Sequence, residues 1–173
     1  MLDDHLRYPI GKFSPKEVYS AEELNSLIDQ IGMLPQKVEE SIAGFSTLQF
    51  DTPYREGGWT IRQVIHHLAD SHMNAYIRFK WTLTESTPVI KAYDEKLWAN
   101  TPETNADSLL SVTLLKALHA KWVLLLRSLT PEDLKREFIH PETRKHISLH
   151  QMIALYAWHG QHHVGHINIV GSK

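Results

Sequence analysis

Apolar residues return every three or four positions along most of this chain, and the strict alternation of a half-buried strand is scarce. Leu24, Leu27, Ile28, Ile31, Leu34, Val38 and Ile42 form the first such stripe, and Ser20 with Glu23 makes a capping box in front of it. The pattern predicts a helix over about 20–45, preceded by an extended lead, 1–19, that contains Pro9 and Pro15. Pro35 removes one backbone donor inside the stripe, so a kink or break is expected near Gly32. A turn-rich loop from Asp51 to Gly58 follows, and Thr60 with Gln63 repeats the capping box. The second helix, about 60–84, carries Ile61, Val64, Ile65, Leu68, Ala75, Phe79 and Leu83 on its apolar face. His67, Ser71, Asn74 and Arg78 share a polar stripe beside it.

From Glu85 to Ala106 runs a connection long enough to expect a lid or cover. A third helix, about 107–129, places Leu110, Leu114, Leu118, Trp122, Leu125 and Leu129 on one face. Thr130-Pro131-Glu132-Asp133 reads as a cap with proline at the first helical position, opening a short helix. Phe138 to His146 suggests a small hairpin or an irregular excursion, and Ser148 opens a last helix of about 148–170. The expected architecture is all-α, a single-domain four-helix bundle spanning 1–173 with short extra helices and long connecting loops.

Composition narrows the function. At 173 residues, 42% hydrophobic and 22% charged, the chain suits one domain with its own core. A formal net charge of -2 without any Lys/Arg run lacks the electrostatic footprint of nucleic-acid binding. Cysteine is absent, so a reactive thiol must arrive with a substrate. The N-terminus lacks the regions of a signal peptide, and no apolar run approaches the roughly 18 residues of a spanning helix. The reading is a soluble, cytoplasmic protein with neither nucleic acid nor membrane as partner.

The chemistry lies among twelve histidines. His159 and His163 stand four apart on the last helix, so both imidazoles can reach one metal ion, with a third ligand from another helix. They continue the inward-facing stripe, within about 80° of Met152, Leu155, Tyr156, His166, Ile167 and Val170. His162 with His166 is a competing pair, less centred on that stripe. On the second helix, phase alone favours His72 as the buried histidine over His67 on the polar stripe and His66 farther round. His5, His119, His140, His146 and His150 read as ordinary hydrogen-bonded residues, and Trp81, Trp98 and Trp122 as packing residues.

The run from Gly58 to His72, GWTIRQVIHHLADSH, and the later Trp158-His159-Gly160-Gln161-His162-His163-Val164-Gly165-His166-Ile167 resemble the DinB superfamily, and within it the YfiT type of metal-dependent hydrolases. The likeness extends to Arg7-Tyr8-Pro9-Ile10-Gly11, Asp51-Thr52-Pro53-Tyr54-Arg55, Arg78-Phe79-Lys80, Tyr93-Asp94-Glu95-Lys96 and His140-Pro141-Glu142-Thr143. The resemblance implies a four-helix bundle, a homodimer, and one divalent metal per chain, zinc first and nickel second, on His67, His159 and His163. It also implies a C-terminal helix longer than one that stops at Lys173. Gly160 stands where a His-Glu-x-x-His protease has its glutamate, which argues against peptide hydrolysis of that kind.

The DinB superfamily includes enzymes that use bacillithiol or mycothiol, and the YfiT type that this chain resembles is similar to the bacillithiol S-transferases among them. The leading expectation is therefore a metal-dependent transferase that binds a low-molecular-weight thiol as thiolate and passes it to a small electrophile. A hydrolase using metal-bound water is the alternative, with Asp70 as its nearest candidate base. A non-catalytic metal-binding protein is the third reading. Asn74 and Arg78 are the candidate substrate contacts.

Overall fold

The computed structural model describes residues 2–172, with side chains from Asp4 onward; Met1 and Lys173, the ends of the expected domain, lie outside the described residues. Four long helices carry the fold: α2 (Ala21–Ser41), α4 (Ile61–Thr84), α6 (Leu109–Arg127) and α8 (Leu149–Gly171). Short helices α1 (Leu2–Arg7), α3 (Thr47–Phe50), α5 (Glu95–Trp98) and α7 (Pro131–Leu134) join or flank them, with a 3₁₀ turn at Pro102–Asn105. Strands β1 (Glu137–Ile139) and β2 (His146–Ser148) make a small antiparallel hairpin, with Phe138 opposite Ile147.

The caps set the helix starts. Ser20 Oγ accepts the Glu23 amide at 3.1 Å, and the Glu23 carboxylate accepts the Ser20 amide at 2.8 Å. At α4, the Gln63 amide donates to Thr60 Oγ1 at 3.2 Å, and the Thr60 amide donates to the Gln63 side chain at 3.1 Å. Three expectations need correction. The lead is not extended throughout, because residues 2–7 close a short helix. The first long helix ends at Ser41, since Gly44 adopts φ +78° and Ser46 then caps a separate short helix. Of the kink or break expected from Pro35, the break does not occur: α2 runs unbroken from Ala21 to Ser41.

Helix α6 also turns a different side inward from the one expected. Val112, Leu115, His119, Trp122 and Leu126 are buried, whereas Leu110 and Leu114 are 64% and 44% exposed. Leucines surround this helix, so their period alone does not select a face. The same richness makes Leu109–Arg127 long and apolar enough to cross a membrane by length and composition, against the expectation that no segment is. Here it packs against α2 and α4.

Helices α2 and α4 each pack against both α6 and α8, so the ring order is α2, α6, α4, α8. α2 and α4, and likewise α6 and α8, therefore face each other across the bundle diagonal while α4 and α6 are neighbours, an order that short up-and-down connections would not produce. The apolar interior forms two clusters. One contains Ile28, Ile31, Ala75, Phe79, Trp122, Met152 and Ala157; the other contains Leu34, Val38, Leu68, Ala69, Leu115, Val164 and Ile167. On α4, α6 and α8 the switch from one cluster to the other brackets histidines: His72 on α4, His119 on α6, and His159, His162 and His163 on α8.

Helices α2 and α8 approach closely at Gly160, where a Cβ would stand 2.7 Å from Leu34 Cδ2 and 3.0 Å from its Cδ1. Leu34 is 1% exposed and has little room to retreat. Alanine would add about 1 kcal/mol of helix propensity, against roughly 1–3 kcal/mol for overpacking. Gly160→Ala is thus expected to lower the urea midpoint; a raised midpoint would mean that Leu34 gives way.

Candidate metal centre

His67 lies on the inner turn of α4, and His159 and His163 lie one turn apart on the facing α8. Their Nε2 or Nδ1 atoms all fall within 4.8 Å of one another. The Nε2 atoms of His67 and His159 are 3.3 Å apart. A tetrahedral ion with nitrogen ligands at about 2.0–2.1 Å has ligand–ligand edges of about 3.3–3.4 Å, so this separation fits a divalent metal. Trp59, in the loop before α4, lies against both rings, its centroid 4.6 Å from His67 and 6.4 Å from His163.

These imidazoles are held neutral. Burial, and then repulsion from His162, pushes His67 down to about 4. His159 and His163 are driven well below the usual histidine range by burial first and by neighbouring imidazoles second. Neutral imidazole is the form that offers a metal its lone pair. His67 and His163 are 4% and 6% exposed, and His159 is partly open because it borders the cavity above the three rings.

That cavity has a volume of about 560 Å³ and takes in Arg7, Tyr54, Arg55, Trp59, Glu95 and Lys96 as well as the three histidines. A second cavity of about 590 Å³, bordered by Ser71, Arg78, Tyr93, His140 and Tyr156, meets the first at His159, Glu95 and Lys96. Helix α5, capped by Asp94 through the amides of Lys96 and Leu97, supplies the partition between them. The long connection 85–106 thus covers the site in part, as a lid would.

Hydrogen bonds continue outward from the trio. His159 Nδ1 lies 3.1 Å from His72 Nε2, and His72 Nδ1 lies 3.0 Å from His119 Nε2. His119 Nδ1 lies 2.6 Å from the Ile31 carbonyl. His163 Nδ1 is 3.2 Å from His166 Nδ1, and His166 Nε2 is 3.2 Å from the Arg7 carbonyl. His72 is fully buried, as its phase suggests, yet it sits behind His159 and not in the trio. His119, read as an ordinary core histidine, joins the same network through a contact that no sequence spacing reveals. A second grouping, His162, His163 and His166, shares His163 with the first. Its His166 has both nitrogens engaged, on His163 and on Arg7, while Tyr54 stacks on the ring at 3.9 Å.

The other candidates scatter. Asp70 borders neither cavity; burial first, and then the Glu103 charge, raises it to about 6. Asn74 turns its amide back to the Asp70 carbonyl at 2.9 Å and also borders neither cavity. Arg78 does reach the second cavity, where it donates to the Lys91 carbonyl at 3.3 Å and lies over the Tyr93 ring. Glu95, on α5, is a cavity carboxylate that sequence reasoning missed, because nothing in a four-residue helix marks its direction.

Comparison with known proteins places this geometry in a group. The model of the DinB superfamily matches residues 30–167. The chain is 48% identical over 168 residues to YfiT of Bacillus subtilis (strain 168), named as a candidate metal-dependent hydrolase, covering 96% of this chain and 94% of that one. A protein of Bacillus cereus (strain 03BB102) with the same kind of name is 49% identical over 162 residues, covering 94% and 93%. The solved structure of YfiT from Bacillus subtilis, described as having an unusual four-helix bundle topology, superposes with a TM-score of 0.95 at 47% identity and covers 97% of each chain.

Burial of neutral imidazoles makes metal-free stability depend on pH. His67, His119, His162 and His166 fall to about 4 in the folded chain, against 6.5 when unfolded. A depressed folded value means that the unfolded chain binds more protons between those limits. Stability is therefore whole above about pH 6.5 and lost as pH falls toward 4, with up to about 1.4 kcal/mol per pH unit from each group. Urea unfolding of the metal-free protein at pH 7.5, 6 and 5 is expected to show a steepening decline. A flat profile would mean that these rings are already charged in the fold.

Proposed function

This chain belongs to the DinB superfamily, and from that premise we propose that it is a metal-dependent enzyme that activates a low-molecular-weight thiol, bacillithiol, for S-transfer to a small electrophile. His67, His159 and His163 would hold one divalent ion, zinc first and nickel second; three imidazole ligands suit either. The ion, when bound, supplies the Lewis acidity that keeps a thiol deprotonated at neutral pH.

The observation that carries this reading is the character of the cavity above the trio. Arg7, Arg55 and Lys96 border it against the single carboxylate of Glu95, which suits a thiol bearing carboxylates and sugar hydroxyls. The hydrogen bonds of His159 and His163 run to other imidazoles, and the sequence-predicted base, Asp70, stands away from the cavity. Thiol transfer asks for little more than an oriented electrophile, whereas water activation profits from a proton acceptor. The second cavity, joined at His159, offers the electrophile a place on the other side of the same ligand.

Metal-dependent hydrolysis is the second reading. The names of the relatives favour it, and Glu95 is, among the described residues, the one carboxylate lining the cavity, placed to take a proton from water.

Zinc-loaded protein is expected to conjugate bacillithiol to monochlorobimane, and His159→Ala to lose both bound zinc and conjugation while His162→Ala keeps its zinc. Ester turnover without thiol, abolished in Glu95→Gln, would instead establish the hydrolase. Full metal content in His159→Ala with loss in His162→Ala would move the centre to the other histidine pair.

A further inference from the structure

Proline 35 leaves a mark on the bundle that reaches the trio. In an α-helix the carbonyl of residue i accepts from the amide of i+4, and proline has no amide hydrogen. Pro35 lies inside α2, so the Ile31 carbonyl has no donor at its i+4 position. It faces the interior, and His119 Nδ1 approaches it to 2.6 Å. A carbonyl oxygen only accepts, so the hydrogen must sit on Nδ1 of His119.

The rest follows from the count of donors on a neutral imidazole, which has one N–H and one lone pair. With its hydrogen on Nδ1, His119 presents a lone pair at Nε2, and His72 Nδ1, 3.0 Å away, must donate to it. His72 then has a lone pair at Nε2, and His159 Nδ1, at 3.1 Å, must donate in turn. His159 is left with its Nε2 lone pair, the atom that stands 3.3 Å from His67 Nε2. Reversing the series would put the Nδ1 lone pair of His119 against the carbonyl oxygen at 2.6 Å, a repulsive contact. The series crosses the whole bundle, from α2 through α6 and α4 to α8. His72 and His119 are 0% and 1% exposed, so water offers them no alternative partners.

We propose that His119 and His72 are positioning residues of the metal centre, transmitting the polarity of the Ile31 carbonyl so that His159 holds its hydrogen on Nδ1 and presents Nε2 to the ion. A second, shorter series does the same for His163. The Arg7 carbonyl, at the C-terminal end of α1, accepts from His166 Nε2 at 3.2 Å, and His163 Nδ1 donates to His166 Nδ1 at 3.2 Å. His163 is thereby also left with Nε2 for the ion, and His166 is left with no lone pair to give. The inference rests on the trio proposed above as ligands and concerns how they are held.

Nitrogen-15 NMR of the metal-free wild-type chain reads the tautomers directly. The expected result is Nδ1-protonated rings for His72, His119, His159 and His163, the opposite of the form favoured by free imidazole side chains in water, and an Nε2-protonated ring for His166. Nε2-protonated His159 would overturn the proposal, whatever the metal affinity. Zinc affinity, measured by competition with a chromophoric chelator, is expected to fall about 10–100-fold in His119→Phe. His119→Gln, which can donate and accept in the same direction, should recover most of that loss. Wild-type affinity in a folded His119→Phe would also sink the idea. Should the wild-type chain bind no zinc at all, the ligand assignment itself fails, an outcome distinct from either result on the relay.

Discussion

An imidazole kept neutral can donate from only one of its two nitrogens, and the centre of this bundle is organised around that limit. Burial denies charge to His72, His119, His159 and His163, because no counter-charge accompanies them into the interior. Each ring must then find one acceptor and one donor, or leave a polar atom stranded at about 1–3 kcal/mol. The structure meets this by ending both series of rings on backbone carbonyls, Ile31 in α2 and Arg7 in α1. The apolar core divides around the same level, with one cluster on either side.

The two ends of this arrangement are tied to features that look unrelated in the chain. Proline is costly within a helix, yet α2 tolerates Pro35 because the carbonyl it orphans is used from outside. At the other end, Gly165 lets Pro9 lie on α8; a Cβ there would come within 2.7 Å of Pro9 Cγ. That close approach holds the N-terminal segment where the Arg7 carbonyl can meet His166. The mouth of the cavity is equally dependent on local chain geometry. Tyr54 and Trp59 pair across a tight loop, with the Tyr54 amide donating to the Trp59 carbonyl at 3.2 Å, which sets Trp59 against His67 and His163.

Much of the fold was legible because helix caps and apolar periods are local. Ser20, Thr60, Thr130 and Ser148 mark true helix starts, and of the two forms open to Phe138–His146, hairpin or irregular excursion, the chain adopts the hairpin. What stayed hidden depends on neighbours distant in sequence. The inward face of α6 is not legible from period because leucines ring the helix, and only the packing of α2 and α4 selects Val112 and Leu115 over Leu110 and Leu114. At the site, the i, i+4 spacing drew attention to His159 and His163, but phase preferred His72 to His67. Phase was correct about burial: His72 is the more enclosed of the two. It could not say that the space in front of His67 is open and the space behind His159 is occupied by other rings.

The tight seam between α2 and α8 has a consequence for how this scaffold can change. Residue 160 follows the first histidine of the α8 pair, where a glutamate would turn the sequence into the familiar peptidase arrangement of two histidines and an acid on one helix. Yet the position is pressed against Leu34, whose side chain would have to move to admit even a methyl group. An acid acquired there would first have to displace the buried Leu34 side chain. A proton acceptor is accommodated more easily on the segments that roof the cavity, such as α5 with Glu95, than on this face of α8.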